Sequence, residues 1–253
     1  MGPDPGLAGT LILPALFLVG LAVGSFLNVL IHRLPIGESI VFPGSRCPAC
    51  AASIRLRDNL PVISWIRLGG RCRDCRARIP VRYPLVEVLT GAIFAWAPEG
   101  GDPALVVSRL LLLSLLLALA VTDWERMVLP DALTLPGAAL GLLLSGPRAD
   151  LDFVTSAAGA LLGATLLFVL RALWLRFRGV EAVGLGDVKL LLLMGAFLGP
   201  APALGAVALA AALGVLVAGP LLLLGRIRRD TPLPFGTLLA LGAGAVFVVS
   251  TGG

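Results

Sequence analysis

Apolar residues dominate eight stretches of the chain, and short polar connections separate them: 7–31, 83–97, 104–121, 132–144, 153–175, 185–198, 201–224 and 233–249. A helix that crosses a bilayer needs roughly 17 to 25 apolar residues. Most stretches reach that length, whereas 83–97, 132–144 and 185–198 fall short of it and can end below the membrane surface. The pattern predicts an all-α polytopic membrane protein with about eight transmembrane helices.

The composition agrees with burial in lipid. Apolar residues make up 58% of the 253 residues and charged residues only 14%, and the mean hydropathy is +0.98. Soluble globular chains carry about 45 to 50% apolar and about 25% charged residues. The excess apolar surface excludes a soluble globular domain, a disordered chain and a secreted disulfide scaffold, and it makes the lipid bilayer the first expected partner.

The basic residues predict the orientation of the chain. With the amino terminus outside, 18 of the 20 Lys and Arg residues fall on the cytosolic side, and only Arg109 and Arg148 oppose this assignment. Short cytosolic loops of membrane proteins are enriched in Lys and Arg. We therefore interpret the net charge of +5 as a topology signal and expect no nucleic-acid partner.

All four cysteines lie in the one long hydrophilic segment, 32–82, as two C-x2-C pairs that 21 residues separate: Cys47, Cys50, Cys72 and Cys75. Two such pairs supply the four thiolates that a closed structural zinc site requires. Disulfides are the alternative, but they are rare in the reducing cytosol, where the orientation places this segment. We predict a first helix at 1–31, a small zinc-ribbon-like cytosolic insertion at 32–82, and a membrane core at 83–253.

Four acidic residues lie beside or inside apolar stretches: Glu87, Asp123, Asp131 and Asp187. An ionised side chain is costly in a membrane, so each of them is a functional candidate. Asp131 follows a proline just before a stretch, which favours a simple helix N-cap. Asp123 and Asp187 both map to the cytosolic membrane border, which predicts that they meet as an aspartyl dyad.

The surroundings of Asp187 suggest substrate contacts. Gly184 and Gly186 flank it in a G-x-G-D sequence, and glycine lets a second chain approach the backbone closely. Lys189 is a further candidate, with a topology charge as the alternative. Glu87, about one turn into the second stretch, is the fourth candidate, and a side chain that merely reaches the interface is its alternative.

The chain resembles the bacterial type IV prepilin leader peptidases over almost its whole length. The resemblance rests on several motifs in order: GSFLNVLIHRLP at 24–35, the two cysteine pairs, RYPLVE at 82–87, TLP at 134–136, GLGD at 184–187 and PFG at 234–236. It matches Asp123 and Asp187 to the catalytic aspartates of that family, and the cysteines to its cytosolic zinc-type domain.

The resemblance implies cleavage of type IV prepilin or pseudopilin signal peptides after a glycine, at the cytosolic face of the bacterial inner membrane. It also implies N-methylation of the new amino terminus with S-adenosylmethionine as donor. Gly70 matches a glycine that the resemblance links to methyl transfer, and a turn in Leu68-Gly69-Gly70 is the alternative.

Two other classes remain open. A proton-coupled transporter also carries membrane aspartates, although its sites lie near the midplane. A non-catalytic zinc-bearing scaffold explains the cysteines and leaves both aspartates without a role. For a dyad, Asp187 lies at a helix start and Asp123 at a helix end, so the helix fields favour ionised Asp187 and protonated Asp123.

Overall fold

The computed structural model describes residues 5–99, 102–179, 183–228 and 231–251. Within these ranges the chain forms helices and no β-strand, which confirms the all-α class. The helices are α1 (Pro5–Arg33), α2 (Ile63–Arg67), α3 (Arg82–Trp96), α4 (Pro103–Arg126), α5 (Asp131–Ser145), α6 (Phe153–Arg178), α7 (Leu185–Leu198), α8 (Pro200–Leu223) and α9 (Phe235–Thr251).

Helix length divides the apolar helices into two groups. Four are long and apolar enough to cross a membrane: the segment Ile12–Ile36, which contains most of α1, and α4, α6 and α8. The other four, α3, α5, α7 and α9, have 14 to 17 residues. The chain is therefore an integral membrane protein, and the count of eight spans stays a prediction.

The chain forms two compact units, Met1–Glu99 and Gly100–Gly253. In the first unit, α1 packs against α3 at very short range. A Cβ on Gly24 would lie 2.6 Å from the Cα of Glu87, and one on Gly20 would lie 2.7 Å from the Cα of Gly91. Real Cβ contacts do not occur at such distances, so only glycine permits this crossing.

The second unit surrounds α7. Six of its side chains have no exposed surface: Leu190, Leu191, Leu193, Met194, Ala196 and Phe197. A helix that is apolar on every face lies in a protein core or in lipid, and these side chains place α7 in the core of its unit. Helix α6 comes closest to it, because a Cβ on Gly195 of α7 would lie 2.2 Å from the carbonyl oxygen of Gly159. This backbone-to-backbone contact fixes the helix that begins with the G-x-G-D sequence.

Two arginines that oppose the basic-residue count are buried. Arg109 is 1% exposed and donates to the backbone carbonyl of Thr251. Arg148 is 7% exposed and donates to the carbonyl of Phe197 at 2.8 Å and to the carboxylate of Asp150 at 2.9 Å. Both arginines therefore have partners within the second unit, and the predicted orientation stays a prediction.

The α6–α7 crossing predicts a pair of contrasting alanine variants. Gly195→Ala should lower the free energy of unfolding by about 1–3 kcal/mol, because the added methyl group overpacks the contact. Gly205→Ala is the control, since that glycine of α8 is exposed and has nothing within 4 Å of an added Cβ. Thermal unfolding of both variants in detergent, followed by tryptophan fluorescence, measures the difference. Equal midpoints for the two variants would contradict the proposed close crossing.

Candidate active site and metal centre

The four cysteines form one cluster in the first unit. Their Sγ atoms all lie within 4.8 Å of one another, and those of Cys47 and Cys75 are 3.8 Å apart. Sulfur atoms at the corners of a tetrahedron with Zn–S bonds of about 2.3 Å lie about 3.8 Å apart, whereas a disulfide brings them to about 2.0 Å. All four cysteines are free. The geometry fits a tetrahedral metal ion.

The two cysteine turns are copies of one structure. The N–H of Cys47 donates to the carbonyl of Ala52 at 2.9 Å, and the N–H of Cys72 donates to that of Ala77 at 2.8 Å. Both turns contain a left-handed residue at the same place, Ala51 and Arg76. The sequence carries this repeat as R-C-x2-C-x-A-x-I at 46–54 and 71–79, a signal that our sequence interpretation missed.

Backbone donors prepare one thiol for a metal. The N–H groups of Cys75 and then Asp74 lower the pKa of Cys72 to about 7. The thiolate is the form that binds a metal ion. Local turn geometry therefore favours the ligand form of this side chain.

An acidic residue between the cysteine pairs holds the segment together. The Asp58 side chain is 6% exposed and accepts two hydrogen bonds from Arg73, at 2.7 and 2.6 Å, and one from Arg67 at 2.9 Å. The hydrogen bonds from Arg73, with those from Arg67, lower the pKa of Asp58 to about 2. This bidentate pair joins residues 15 positions apart in a segment that has little apolar core.

Asp123 lies in the last turn of α4, and its side chain is buried at 6% exposure. Its Oδ2 accepts hydrogen bonds from the N–H of Thr237 at 2.7 Å and from the hydroxyl of Thr237 at 3.1 Å. A Cβ on Gly236 would lie 3.0 Å from the Asp123 Cγ. The PFG sequence thus places the start of α9 directly against this carboxylate.

Asp187 lies in the first turn of α7, where its Oδ2 accepts the N–H of Gly184 at 3.1 Å. Leu129 connects the two aspartate positions. A Cβ on Gly186 would lie 3.1 Å from the Cβ of Leu129, and a Cβ on Gly236 would lie 2.9 Å from its Cδ1. The charge of Asp123 also acts on Asp187. Helices α4 and α7 therefore bring the two aspartates to the same site.

Each aspartate has one oxygen in use and one available. Oδ2 of both residues is hydrogen-bonded, whereas Oδ1 of both has no hydrogen-bond partner in the part of the chain that the structure describes. Two carboxylates that share a site cannot both ionise easily, so one of them retains a proton. Such a pair can activate a water molecule and polarise a carbonyl group.

Two family descriptions match the chain. The Bacterial Peptidase A24 N-terminal domain matches residues 18–98, and the Type IV leader peptidase family matches residues 110–219. A relative from Burkholderia pseudomallei is 36% identical over 92% of this chain and 84% of its own length. The chain belongs to the type IV leader peptidase family.

Further relatives support this membership of the leader peptidase family. One from Klebsiella pneumoniae is 43% identical over 73% of this chain and 84% of its own length. One from Myxococcus xanthus is 41% identical over 87% of this chain, and the match spans 66% of the relative. All three relatives bear the name Prepilin leader peptidase/N-methyltransferase. No solved structure was found to match the chain.

Other candidate residues of this leader peptidase family member have partners within the protein. Glu87 is 7% exposed, and its Oε2 accepts the N–H of Val62 at 2.7 Å. Lys189 donates to both carboxylate oxygens of Asp131 at 2.7 Å. The N-cap interpretation of Asp131 is wrong, because α5 begins at this residue and Pro130 occupies the cap position.

The three candidate glycines differ in their surroundings. Gly70 has φ +63°, and a Cβ there would lie 2.9 Å from the Trp65 ring, so its geometry requires glycine for a turn. Gly186 lies against Leu129, whereas Gly184 is exposed. Gly184 is therefore the most accessible backbone for a substrate, and a methyl-transfer role for Gly70 stays a prediction.

Thr237 is the site residue that sequence reasoning missed. Its hydroxyl lies 2.9 Å from the carbonyl of Ala120 and 3.1 Å from Asp123 Oδ2. It can donate to an ionised Asp123, or accept from a protonated Asp123 while it donates to Ala120. The N–H of Thr237 also places a helix start beside Asp123, so helix ends alone do not distinguish the two aspartates.

This contact predicts that Thr237 positions Asp123 for catalysis. Thr237→Val keeps the shape and the N–H but removes the hydroxyl, so kcat for peptide cleavage should fall about tenfold with little change in KM. Thr237→Ser should restore most of the rate. Thr122→Val is the control, because that buried hydroxyl bonds only to the carbonyl of Ala118, at 2.7 Å.

Cleavage kinetics of the three variants with one prepilin substrate test this role. An equal loss in Thr237→Val and Thr122→Val, or no rescue by serine, would show that Thr237 has only a packing role.

Proposed function

We propose that this chain is an aspartic endopeptidase that cleaves type IV prepilin-like signal peptides after a glycine. The observation that carries the proposal is the approach of Asp123 and Asp187 from separate helices, each with one carboxylate oxygen available. The names of the relatives support the same substrate class, because they are called prepilin leader peptidases.

The dyad supplies both acid and base. The ionised aspartate removes a proton from a water molecule, which attacks the carbonyl carbon of the scissile bond. The protonated aspartate polarises the carbonyl oxygen and later helps to protonate the leaving amine. Thr237 holds one carboxylate in either protonation state. Which aspartate carries the proton at rest stays a prediction: the ends of α4 and α7 favour a protonated Asp123, and the start of α9 beside Asp123 opposes that preference.

The substrate approaches along exposed backbone at the start of α7. Gly184 is exposed three residues before Asp187, so an extended peptide can lie against it next to the dyad. Lys189 and Asp131 form an ion pair near the same end of α7, and we place them at the edge of this substrate path. Gly186 contributes by fitting α7 against Leu129.

The distribution of basic residues supports an orientation. We infer that the chain lies in the bacterial inner membrane with the dyad at the cytosolic border, because 18 of 20 basic residues fall on that side. Type IV prepilins or pseudopilins are the proposed substrates, and the bilayer surrounds the helices. No nucleic-acid partner is proposed.

The cysteine cluster is proposed to hold one structural zinc ion through Cys47, Cys50, Cys72 and Cys75. Four thiolates close the tetrahedral shell, so the metal keeps no open position for chemistry. Its contribution is the fold of a segment that is too small to be stabilised by a core of its own.

N-methylation of the new pilin amino terminus is the proposed second activity, with S-adenosylmethionine as donor. The relatives carry N-methyltransferase in their names, and the A24 N-terminal domain matches residues 18–98 of the first unit. The donor supplies an electrophilic methyl group. Residues of the first unit would bind and orient it.

The dyad predicts the effect of two isosteric variants. Asp123→Asn and Asp187→Asn should each reduce prepilin cleavage at least a hundredfold, since positioned acid–base groups contribute about 10²–10⁴-fold. Asp152→Asn is the control, because Asp152 caps α6 and Asn caps helices equally well. Gel assays with purified protein and a prepilin measure cleavage.

Cleavage that persists in both dyad variants would contradict the peptidase proposal. A transporter or a scaffold would show no dyad-dependent cleavage, so the same assay separates all three functions.

The zinc proposal predicts one zinc ion for each chain after purification under reducing conditions. Elemental analysis should show this ratio, and Cys72→Ser should lower both the zinc content and the thermal stability. Peptide cleavage should fall less than zinc content, because the dyad lies in the other compact unit. Disulfide-linked pairs in the reduced protein, or a cysteine variant that keeps its fold and loses all cleavage, would contradict this division.

A further inference from the structure

A buried carboxylate of the first unit has no cationic partner. Glu87 on α3 is 7% exposed, and the N–H of Val62 donates to its Oε2 at 2.7 Å. The Ser25 side chain also hydrogen-bonds to it, and no positively charged group in the described part of the chain is paired with it. Buried charges in proteins are ordinarily paired with an opposite charge. Glu87 has no such partner among the described residues, so a cationic ligand group would complete its environment.

The side-chain amide of Asn28, which lines the same cavity as Glu87, has an oxygen that accepts no hydrogen bond from the described residues. Asn28 on α1 is 3% exposed, and its Nδ2 donates to the carbonyls of Tyr83 at 3.0 Å and Gly24 at 3.3 Å. Carbonyl oxygens only accept, so this orientation of the amide is fixed. Its Oδ1 is buried and has no hydrogen-bond partner among the described residues. An unsatisfied buried acceptor destabilises the fold, and a hydrogen-bond donor from a ligand would remove that cost.

Glu87 and Asn28 line the same cavity. It has a volume of about 760 Å³, and all of its lining residues lie between 22 and 87. Small-molecule sites commonly have about 300–1,000 Å³. The two side chains come from the facing helices α1 and α3, which pack so closely that a Cβ on Gly24 would lie 2.6 Å from the Glu87 Cα. The cavity is large enough for a nucleoside-sized ligand or a peptide end.

Backbone strain holds the carboxylate in place. Val62 has φ +61° and ψ −51°, a conformation that β-branched residues rarely adopt. The N–H of Ile63 donates to the carbonyl of Pro61 at 2.6 Å, which closes a γ-turn around Val62. Strained backbone conformations of this kind concentrate at binding sites. Here it directs the Val62 N–H at Glu87.

We propose that Glu87 and Asn28 form a binding site for a primary ammonium group in this cavity. An ammonium group offers one positive charge and three donors, which match the carboxylate and the free amide oxygen. The inference rests on the proposed methyltransferase activity, which has two ligands of this chemistry. They are the amino-acid end of S-adenosylmethionine and the new amino terminus of the cleaved pilin.

Two matched ligand pairs isolate the ammonium group on the full-length protein. S-adenosylhomocysteine carries an amino-acid ammonium, whereas its deamino analogue keeps the carboxylate and lacks the ammonium. A peptide with the sequence of a mature pilin amino terminus carries a free amine, whereas its N-acetylated form does not. Calorimetry measures the affinity of each ligand for the purified protein in detergent, without any turnover.

Two glutamine variants test whether Glu87 binds the ammonium group. Glu87→Gln keeps an acceptor for the Val62 N–H and removes the charge. In one of the two ligand pairs, it should therefore lower the affinity for the ammonium-bearing ligand at least tenfold and leave the affinity for the matched ligand unchanged. Glu38→Gln is the control, because Glu38 lines the same cavity with 41% of its side chain exposed. It should change neither affinity. Thermal unfolding verifies the fold of both variants.

The ligand pair whose affinities change in Glu87→Gln identifies the source of the ammonium group. Weakening confined to S-adenosylhomocysteine assigns the site to the methyl donor, and weakening confined to the free-amine peptide assigns it to the pilin. If the wild type methylates a pilin but Glu87→Gln binds both amines normally, the site is wrong and the proposed function stands. If the wild type neither binds these ligands nor methylates a pilin, that result contradicts the proposed methyltransferase activity and the site with it.

The wild type provides a second measurement that does not depend on the fold of a variant. In at least one pair, the ammonium-bearing ligand must bind about tenfold more tightly than its matched partner. Equal affinities within both pairs would overturn the proposal.

Discussion

A carboxylate that accepts the free N–H groups at the start of a helix is the interaction on which the membrane site depends. In lipid, backbone groups must be satisfied within the helix, and only the first turn leaves N–H groups available. Asp187 accepts the N–H of Gly184 at the start of α7, and Asp123 accepts that of Thr237 at the start of α9. Each aspartate side chain is therefore oriented by an N–H at the start of a helix, α7 for Asp187 and α9 for Asp123.

The glycines make these contacts possible. A side chain on Gly236 would touch Asp123, and one on Gly195 would collide with the backbone of α6. The first unit follows the same principle at Gly24, where α1 meets α3. Close packing of the backbones thus determines which polar groups can reach one another. In both units this packing depends on the positions of the glycines.

Local patterns in the sequence predicted much of the fold. Helix α7 has the same bounds, 185–198, as the apolar stretch that predicted it, and the two C-x2-C pairs form the expected cluster. Both features depend on residues close together in sequence. The repeat around the cysteine pairs was also readable, because the same residue types recur at 46–54 and 71–79.

Contacts between distant residues were not predictable in this way. Thr237 lies 114 residues from Asp123, and no periodicity connects them. The N–H of Val62 that holds Glu87, and the carbonyls that bind Arg109 and Arg148, also depend on tertiary packing. The sequence shows that a buried charge needs a partner, but only the packed helices show which group provides it.

The central claim is that α4 and α7 bring residues 123 and 187 within reach of one water molecule. Cross-linking of the double variant Asp123→Cys, Asp187→Cys in native membranes with a short bifunctional thiol reagent measures this approach most directly. We expect mass spectrometry to find one peptide pair joined through both introduced cysteines. The control pair, Asp123→Cys with Gly205→Cys, should not join. Absence of the 123–187 cross-link, when each single variant reacts with the reagent, would contradict a shared site.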